Sequence, residues 1–173
     1  MTTTTPTAPR IYVACLSSYN AGILHGRWID AAQGADEIQD DVNAMLADSP
    51  QPGAEEWAIH DYEGFAGLPV EEYSSFEQIA EWAELIEEHG PAYAAYCDHV
   101  GTHYATPEGF ENEFCGEAES EEAFAEERCG DEIEEKLGEL YRHFDWSSYA
   151  HDMFIDSYVS ADCDGTTYIF YRC

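Results

Sequence analysis

From residue 28 to residue 127 the chain contains no lysine and no arginine, although most of its aspartates and glutamates lie there. That tract limits what can fold. Soluble surfaces ordinarily interleave both signs of charge, and a block of like charge poor in apolar residues stays disordered. Here 45% of the 173 residues are apolar and 14% aromatic, with 12 Tyr, 8 Phe and 4 Trp. The rings recur throughout the acidic tract, so there is apolar area enough to build cores beneath the anions. The chain reads as folded and acidic.

The balance of 37 acidic against 6 basic side chains gives a formal net charge of -31. Nucleic acid and anionic membrane would both be repelled and are excluded as direct partners. A basic protein surface, a metal or high salt would each make the charge tolerable. The length suits one domain or two or three small ones. Residues 1–9, rich in Thr, Pro and Ala, read as a disordered tail without the features of a signal peptide. No apolar run approaches the ~20 residues of a membrane span. Cys15, Cys97, Cys115, Cys129, Cys163 and Cys173 form no C-x-x-C pair, which points to reduced thiols and a cytoplasmic location.

Residues 10–16 (RIYVACL) have the composition of a strand, 17–22 of a turn, and 24–30 alternate as a second strand. A helix is expected over 35–47, with Ile38, Val42, Met45 and Leu46 on one stripe, then a break at SPQPG and a third strand over 57–63. Past residue 64 the period becomes helical. Ser74 with Glu77 suggests a capping box for a helix carrying Phe76, Ile79, Ala80, Ala83 and Ile86. Gly90-Pro91 separates it from the next helix, and Thr106-Pro107 opens a short one through Phe114. Ser120, Asp131 and Asp145 are candidate caps for three further helices, and two final strands meet at Asp164-Gly165, a hairpin pair. The expected fold is α+β, an elongated series of three small domains. These are a β-β-α-β unit over 10–63, a helical middle over 64–107, and an α+β unit with a β-hairpin over 108–173.

The acidic residues are patterned. Glu77, Glu81, Glu84 and Glu88 fall on one helical face opposite the apolar stripe. Each adjacent like-charge pair costs roughly 0.2–0.5 kcal/mol, so three cost about 1 kcal/mol, which interleaved lysines would have removed. The bland alternative, a solvated face, predicts mixed charge. The pattern recurs in Glu71 and Glu72, in Glu108, Glu111 and Glu113, in Glu117, Glu119, Glu121 and Glu122, and in Glu126 and Glu127. These residues are the candidate functional surface. Duplex DNA carries one charge per ~1.7 Å, so a net charge of 31 equals roughly 50 Å of duplex, about 15 base pairs. An acidic protein of this density is electrostatically a piece of DNA. Salt adaptation also replaces lysine with acid, and composition alone leaves that alternative open.

Discrete sites are weaker. Asp162-x-Asp164-Gly165 resembles part of an EF-hand loop, but aligning its glycine puts Tyr171 where the bidentate glutamate belongs, so it reads as a turn. His99 and His103 lack the intervening glutamate of a zincin, Val100 standing in its place. His60 and Asp61, neighbours in a strand, should point to opposite faces and form no dyad. No nucleophile elbow, P-loop or dinucleotide motif occurs. The reading is of a non-enzyme without catalytic residues, metal or cofactor.

Three stretches together resemble the ArdA family of antirestriction proteins. The first is Ile11-Tyr-Val-Ala-Cys-Leu with Tyr19-Asn20-x-Gly22-x-Leu24-x-Gly26-x-Trp28. The second is Glu55-Glu56-Trp57-Ala58-Ile59-His60-Asp61-Tyr62-Glu63. The third is Phe114-Cys115-Gly116-Glu117, then Ser120-Glu-Glu-x-Phe124-Ala125-Glu126, then Phe144-Asp145-Trp146-x-x-Tyr149-Ala150-x-Asp152-Met153-Phe154. His151 departs from the arginine expected at its place. The resemblance implies a DNA mimic, encoded on a mobile genetic element, that occupies the DNA-binding cleft of Type I restriction–modification enzymes. Its partner would be the methyltransferase core of specificity and modification subunits, so that restriction and modification would both be open to block. It also implies a curved, three-domain subunit that forms a homodimer through its C-terminal domain. A mimic aimed at a different DNA-binding protein is the other functional alternative.

Overall fold

The structure, a computed structural model, describes residues 8–172; most of the tail expected over 1–9 lies outside the described residues. The fold is α+β, with two three-stranded antiparallel sheets among those residues. The chain divides into two compact units, one ending at Gly90 and one beginning at Pro91. That division falls at the Gly-Pro break within the segment 64–107. No helix of the described residues is long and apolar enough to cross a membrane.

The first unit contains β1 (Arg10–Cys15), α1 (Leu16–Asn20), β2 (Gly26–Asp30), α2 (Ala35–Ala47), β3 (Trp57–Glu63) and α3 (Phe76–His89). Its sheet has the order β2-β1-β3. The central strand buries Ile11, Val13, Ala14 and Cys15, which is why its sequence is the most apolar of the three. Ile29 from β2 and Ile38, Val42 and Met45 from α2 are likewise buried, the last three belonging to the expected stripe, whose fourth member, Leu46, is half-buried. Phe65, Leu68 and Val70, in the segment after β3, are buried too, and the Ile59 N–H of β3 donates to the Glu72 carbonyl at 3.0 Å.

Four local expectations are corrected here. The stretch 17–22 is not only a turn: its first part is the helix α1, whose backbone N–H groups bond back within the segment. Leu24 lies outside β2 and is exposed, because the strand begins at Gly26. The cap of α3 is Ser75, whose hydroxyl accepts from the Gln78 N–H at 3.2 Å, while Ser74 accepts from the Glu71 N–H at 2.9 Å. Two adjacent serines thus serve a turn and a helix start. Finally, β3 slips register against β1, with Tyr12 opposite Asp61 but Val13 opposite Ile59. His60 is the extra residue of a β-bulge, which interrupts the two-residue alternation, and His60 and Asp61 are both exposed.

The second unit runs α4 (Pro91–Val100), α5 (Pro107–Glu113), β4 (Phe114–Ala118), α6 (Glu121–Leu137), a 3₁₀ helix (Gly138–His143), α7 (Trp146–Asp156), β5 (Tyr158–Cys163) and β6 (Thr166–Tyr171). The sheet order is β4-β6-β5. Its central strand is covered on both sides. Phe170 meets the rings of Tyr96, Phe110 and Phe114 at 5.5, 6.3 and 5.7 Å, while Ile169 joins Phe124, Phe154 and Tyr158. Two-sided burial explains the run Tyr168-Ile169-Phe170. Thr106 caps α5 and Asp145 caps α7, as their sequence positions suggest. At the final hairpin, Asp164 and Gly165 take φ +51° and +82°, the pair of left-handed conformations that a type I′ turn demands.

Asp131 does not cap a helix. A single helix, α6, runs through it from Ser120, which accepts from the Ala123 N–H at 3.1 Å. Gly130 is buried inside that helix, where an added Cβ would stand 3.4 Å from the Tyr141 hydroxyl. That is an ordinary contact distance, and the glycine does not stop the helix. Strand β4 was missed: its sequence FCGEA lacks alternation, and its register against β6 shifts between Phe114 and Gly116, the latter at φ +131°.

Candidate functional site

The helix α3 shows how the sequence sets out charge. It buries Phe76, Ile79, Ala80, Trp82, Ala83, Leu85 and Ile86, leaving Glu77, Glu81, Glu84, Glu87 and Glu88 exposed. Burial of Trp82 and Leu85, which widen the apolar face beyond the expected stripe, confines the carboxylates to a narrow outward band. Glu87 belongs to that band and was not singled out by the spacing argument. Over the eleven steps from Glu77 to Glu88 the axis rises about 16 Å, which gives roughly one charge per 4–5 Å. One phosphate strand has one per ~3.4 Å and the duplex one per ~1.7 Å. A single helix is therefore too sparse, and the charge must be summed over several elements.

Glu71 and Glu72 precede α3, both exposed, on backbone pinned by the Ser74 and Ile59 hydrogen bonds. On α5, Glu108 and Glu111 are exposed and Glu113 is half-buried, accepting a long 3.4 Å bond from the Tyr96 hydroxyl. Glu117 on β4 and Glu119 just after it are exposed. Glu121 is half-buried and accepts from the Ser160 hydroxyl at 2.6 Å, so it is occupied in joining α6 to β5. Glu122, Glu126 and Glu127 are exposed on α6. The candidate residues thus fall on both units.

Sequence spacing missed part of the same pattern. Asp131, Glu134 and Glu135 continue the exposed acid along α6, and Asp36, Glu37 and Asp40 do so on α2. The signal is present in the sequence as DEIEE and as ADEIQD. Only Glu132 pairs with Lys136.

The cations are each held locally. Arg10 pairs with Glu63 and lies 4.7 Å over the Trp28 ring. Arg27 reaches Asp41 at 3.6 Å and Asp48 at 3.7 Å. Arg128 lies over the rings of Phe124 and Tyr158 and donates to the Tyr171 hydroxyl. Arg142 donates to His143, and Arg172 to the carbonyls of Phe154 and Tyr158. Among the described residues no candidate carboxylate has a Lys or Arg ion-pair partner; the contact nearest to one is His89 at 3.9 Å from its neighbour Glu88.

The negative field registers on neighbouring groups. Burial first, then the charges of Glu126, Glu134 and Asp131, hold the Tyr141 phenol above its ordinary pKa. Burial and then Asp164 and Asp98 do the same for the Cys163 thiol. In contrast, Asp145 is held low by the backbone and side-chain hydrogen bonds it accepts from Ser148. Among the described residues no group of three or more His, Cys, Asp or Glu is arranged to hold a metal ion. His99 lies parallel to Phe170, and Asp162 accepts from the Thr167 hydroxyl at 2.6 Å within the hairpin.

The arrangement suits one kind of chemistry, the binding of a broad cationic surface by many separate carboxylates. A family model described as Antirestriction protein (ArdA) matches residues 11–167 of the chain. No curated protein matches it.

Proposed function

The chain belongs to the ArdA family of antirestriction proteins, and from that premise we propose that it inhibits by imitating DNA. Its carboxylates take the place of phosphates in the DNA-binding cleft of a Type I restriction–modification enzyme, on the methyltransferase core of specificity and modification subunits. DNA is thereby kept from that cleft, so restriction falls and modification falls with it where the core is shared. The observation that carries this reading is the exposure of nearly all the candidate carboxylates with no Lys or Arg paired to them. A cleft lined for phosphate supplies the missing cations. No reacting group is required.

The proposal places the protein in the cytoplasm, as a serial arrangement of small domains that forms a homodimer through residues 108–173. That segment carries half-exposed Tyr141, Phe144, Trp146 and Tyr149 beside exposed Leu140 and Ile155, apolar surface that supports a dimer contact. Sedimentation equilibrium reads that state directly, and a monomer at all concentrations removes it from the proposal.

The functional test is displacement. Purified protein is added to a Type I methyltransferase core bound to labelled duplex, and the expected result is competitive loss of bound DNA. A protein that leaves the duplex bound on several such cores is not acting as a DNA mimic on them. In that case the charge serves salt tolerance or another DNA-binding target.

A further inference from the structure

The connection from β1 to β2 ends in an exposed turn, residues 19–24, with Tyr19, Ile23 and Leu24 at 57, 39 and 79% exposure. The backbone beneath them is well held. The N–H groups of Ala21 and Ile23 donate to the Ser18 carbonyl at 3.0 and 2.9 Å, and that of Gly22 to the Tyr19 carbonyl at 3.0 Å. Gly22 takes the φ of +76° that this turn requires. Ser18 is fully buried, its hydroxyl 2.9 Å from that of Ser49, and the Tyr19 ring meets His60 edge-on at 4.9 Å. A turn fixed in this way presents its side chains with little ordering left to lose on binding. Single exposed leucines need no explanation, but three large apolar side chains on one turn do.

The surroundings say what the patch fits. At its base the Leu16 N–H donates to the Glu56 carbonyl at 3.0 Å, and Glu55, Glu56 and Asp61 are all exposed. Arg27, which follows the turn in sequence, is engaged by Asp41 and Asp48. Exposed acids without a Lys or Arg ion-pair partner thus adjoin the base of the turn, Glu56 at Leu16 and Asp61 beside the His60 that meets Tyr19. A second copy has its proposed seat elsewhere, on residues 108–173, and nucleic acid and anionic lipid are repelled by a net charge of -31. A basic protein surface is attracted. Phosphate has nothing that corresponds to an exposed leucine or tyrosine, so imitation of charge alone leaves these residues without a purpose.

We infer that Tyr19, Ile23 and Leu24 form an apolar anchor that enters a recess beside the basic cleft of the restricted enzyme. The inference rests on the reading of this protein as a DNA mimic. Aromatic and aliphatic side chains seated in a partner's pocket dominate the energetics of many interfaces, and such a contact does not weaken as ions are added, whereas the carboxylate contacts do. Charge brings the mimic to the cleft, and the anchor slows its departure.

The test measures the affinity of the full-length protein for a Type I methyltransferase core over a salt series, for wild type, Ile23→Asn/Leu24→Asn and Glu81→Gln/Glu84→Gln. The anchor variant should lose about tenfold or more in affinity at every salt concentration with the slope of log K against log salt unchanged. The carboxylate variant should instead flatten the slope. Circular dichroism and thermal unfolding establish that both variants fold, and slower amide exchange over residues 19–24 in the wild-type complex reports burial of the turn directly. If the anchor variant binds as wild type does, and exchange at the turn is unaltered, the inference is wrong while the DNA-mimic reading stands. If wild type does not bind the core, both fall. If the anchor variant changes the protein's own sedimentation coefficient, the turn meets a second copy and the inference is overturned.

Discussion

Single residues show where local chemistry is decisive. Gly26 has ordinary backbone angles, yet an added Cβ would meet the Val13 carbonyl oxygen at 2.5 Å and the Tyr12 ring at 2.9 Å. A carbonyl in a central strand cannot move aside without breaking its ladder, so Gly26→Ala should destabilise the first unit by roughly 1–3 kcal/mol, read as a lower urea midpoint with unchanged slope. An unchanged midpoint would mean that β1 and β2 can part freely at this pair. Asp145 carries a pH dependence. Its pKa is held below the ordinary 3.8 by the hydrogen bonds it accepts at the start of α7. A carboxyl with a depressed folded pKa contributes stability at pH values above its unfolded pKa and loses it as pH falls through the folded value. Protonating the many other acids also relieves repulsion, so the whole-protein trend does not isolate this group. Asp145→Asn keeps a capping oxygen and removes the titration. The stability difference between wild type and variant should therefore be constant near neutrality and shrink below pH 3.8; a difference that is flat throughout would refute the assignment.

At the scale of elements, strong periodicity was legible and special geometry was not. The stripe Ile38, Val42, Met45 gave α2 its bounds at Ala35–Ala47, and Asp164-Gly165 gave the final hairpin. Strand β4 was hidden because a glycine at positive φ and a register shift break its alternation, and the continuity of α6 was hidden because Asp131, inside it, resembles an N-cap. Of the candidate surface, the residues on regular helices could be placed by spacing. The half-buried positions of Glu113 and Glu121 could not, since their partners Tyr96 and Ser160 lie 17 and 39 residues away. The α3 band yields a prediction in which stability and function move apart. Glu84 has Glu81 at i-3, Glu87 at i+3 and Glu88 at i+4, and a lysine there would turn all three repulsions into attractions. Glu88 also sits at the helix C-terminus, where the backbone dipole disfavours an acid. Glu84→Lys should raise stability by roughly 0.5–1 kcal/mol, an increase of about 2–4 °C in melting temperature. The same change should weaken inhibition of the restriction enzyme. A variant that is both more stable and equally inhibitory would show that the band is a solvated face without a partner.

The whole molecule carries a net charge of -31 with all of its lysines and arginines locally engaged. Two consequences of opposite sign follow from the same carboxylates. Within the protein they repel, so added salt should stabilise the fold. Toward a cationic cleft they attract, so added salt should weaken the complex. Between 0.01 M and 0.15 M ionic strength the Debye length contracts from ~30 Å to ~8 Å, which removes most of the interaction between distant charges and leaves near neighbours coupled. Melting temperature and inhibition should therefore run in opposite directions across that range, the first rising and the second falling. A protein acidic only for salt tolerance shares the first trend, so the second decides. The competition should also keep its rank against DNA as salt rises, because duplex loses affinity for the same cleft through the release of its own counterions. Measured side by side on one methyltransferase core, mimic and duplex should both show falling log K with log salt. The mimic's slope should be the shallower, since its charges lie farther apart than phosphates and condense fewer ions. A mimic slope near zero would mean that the carboxylates are not what the enzyme binds.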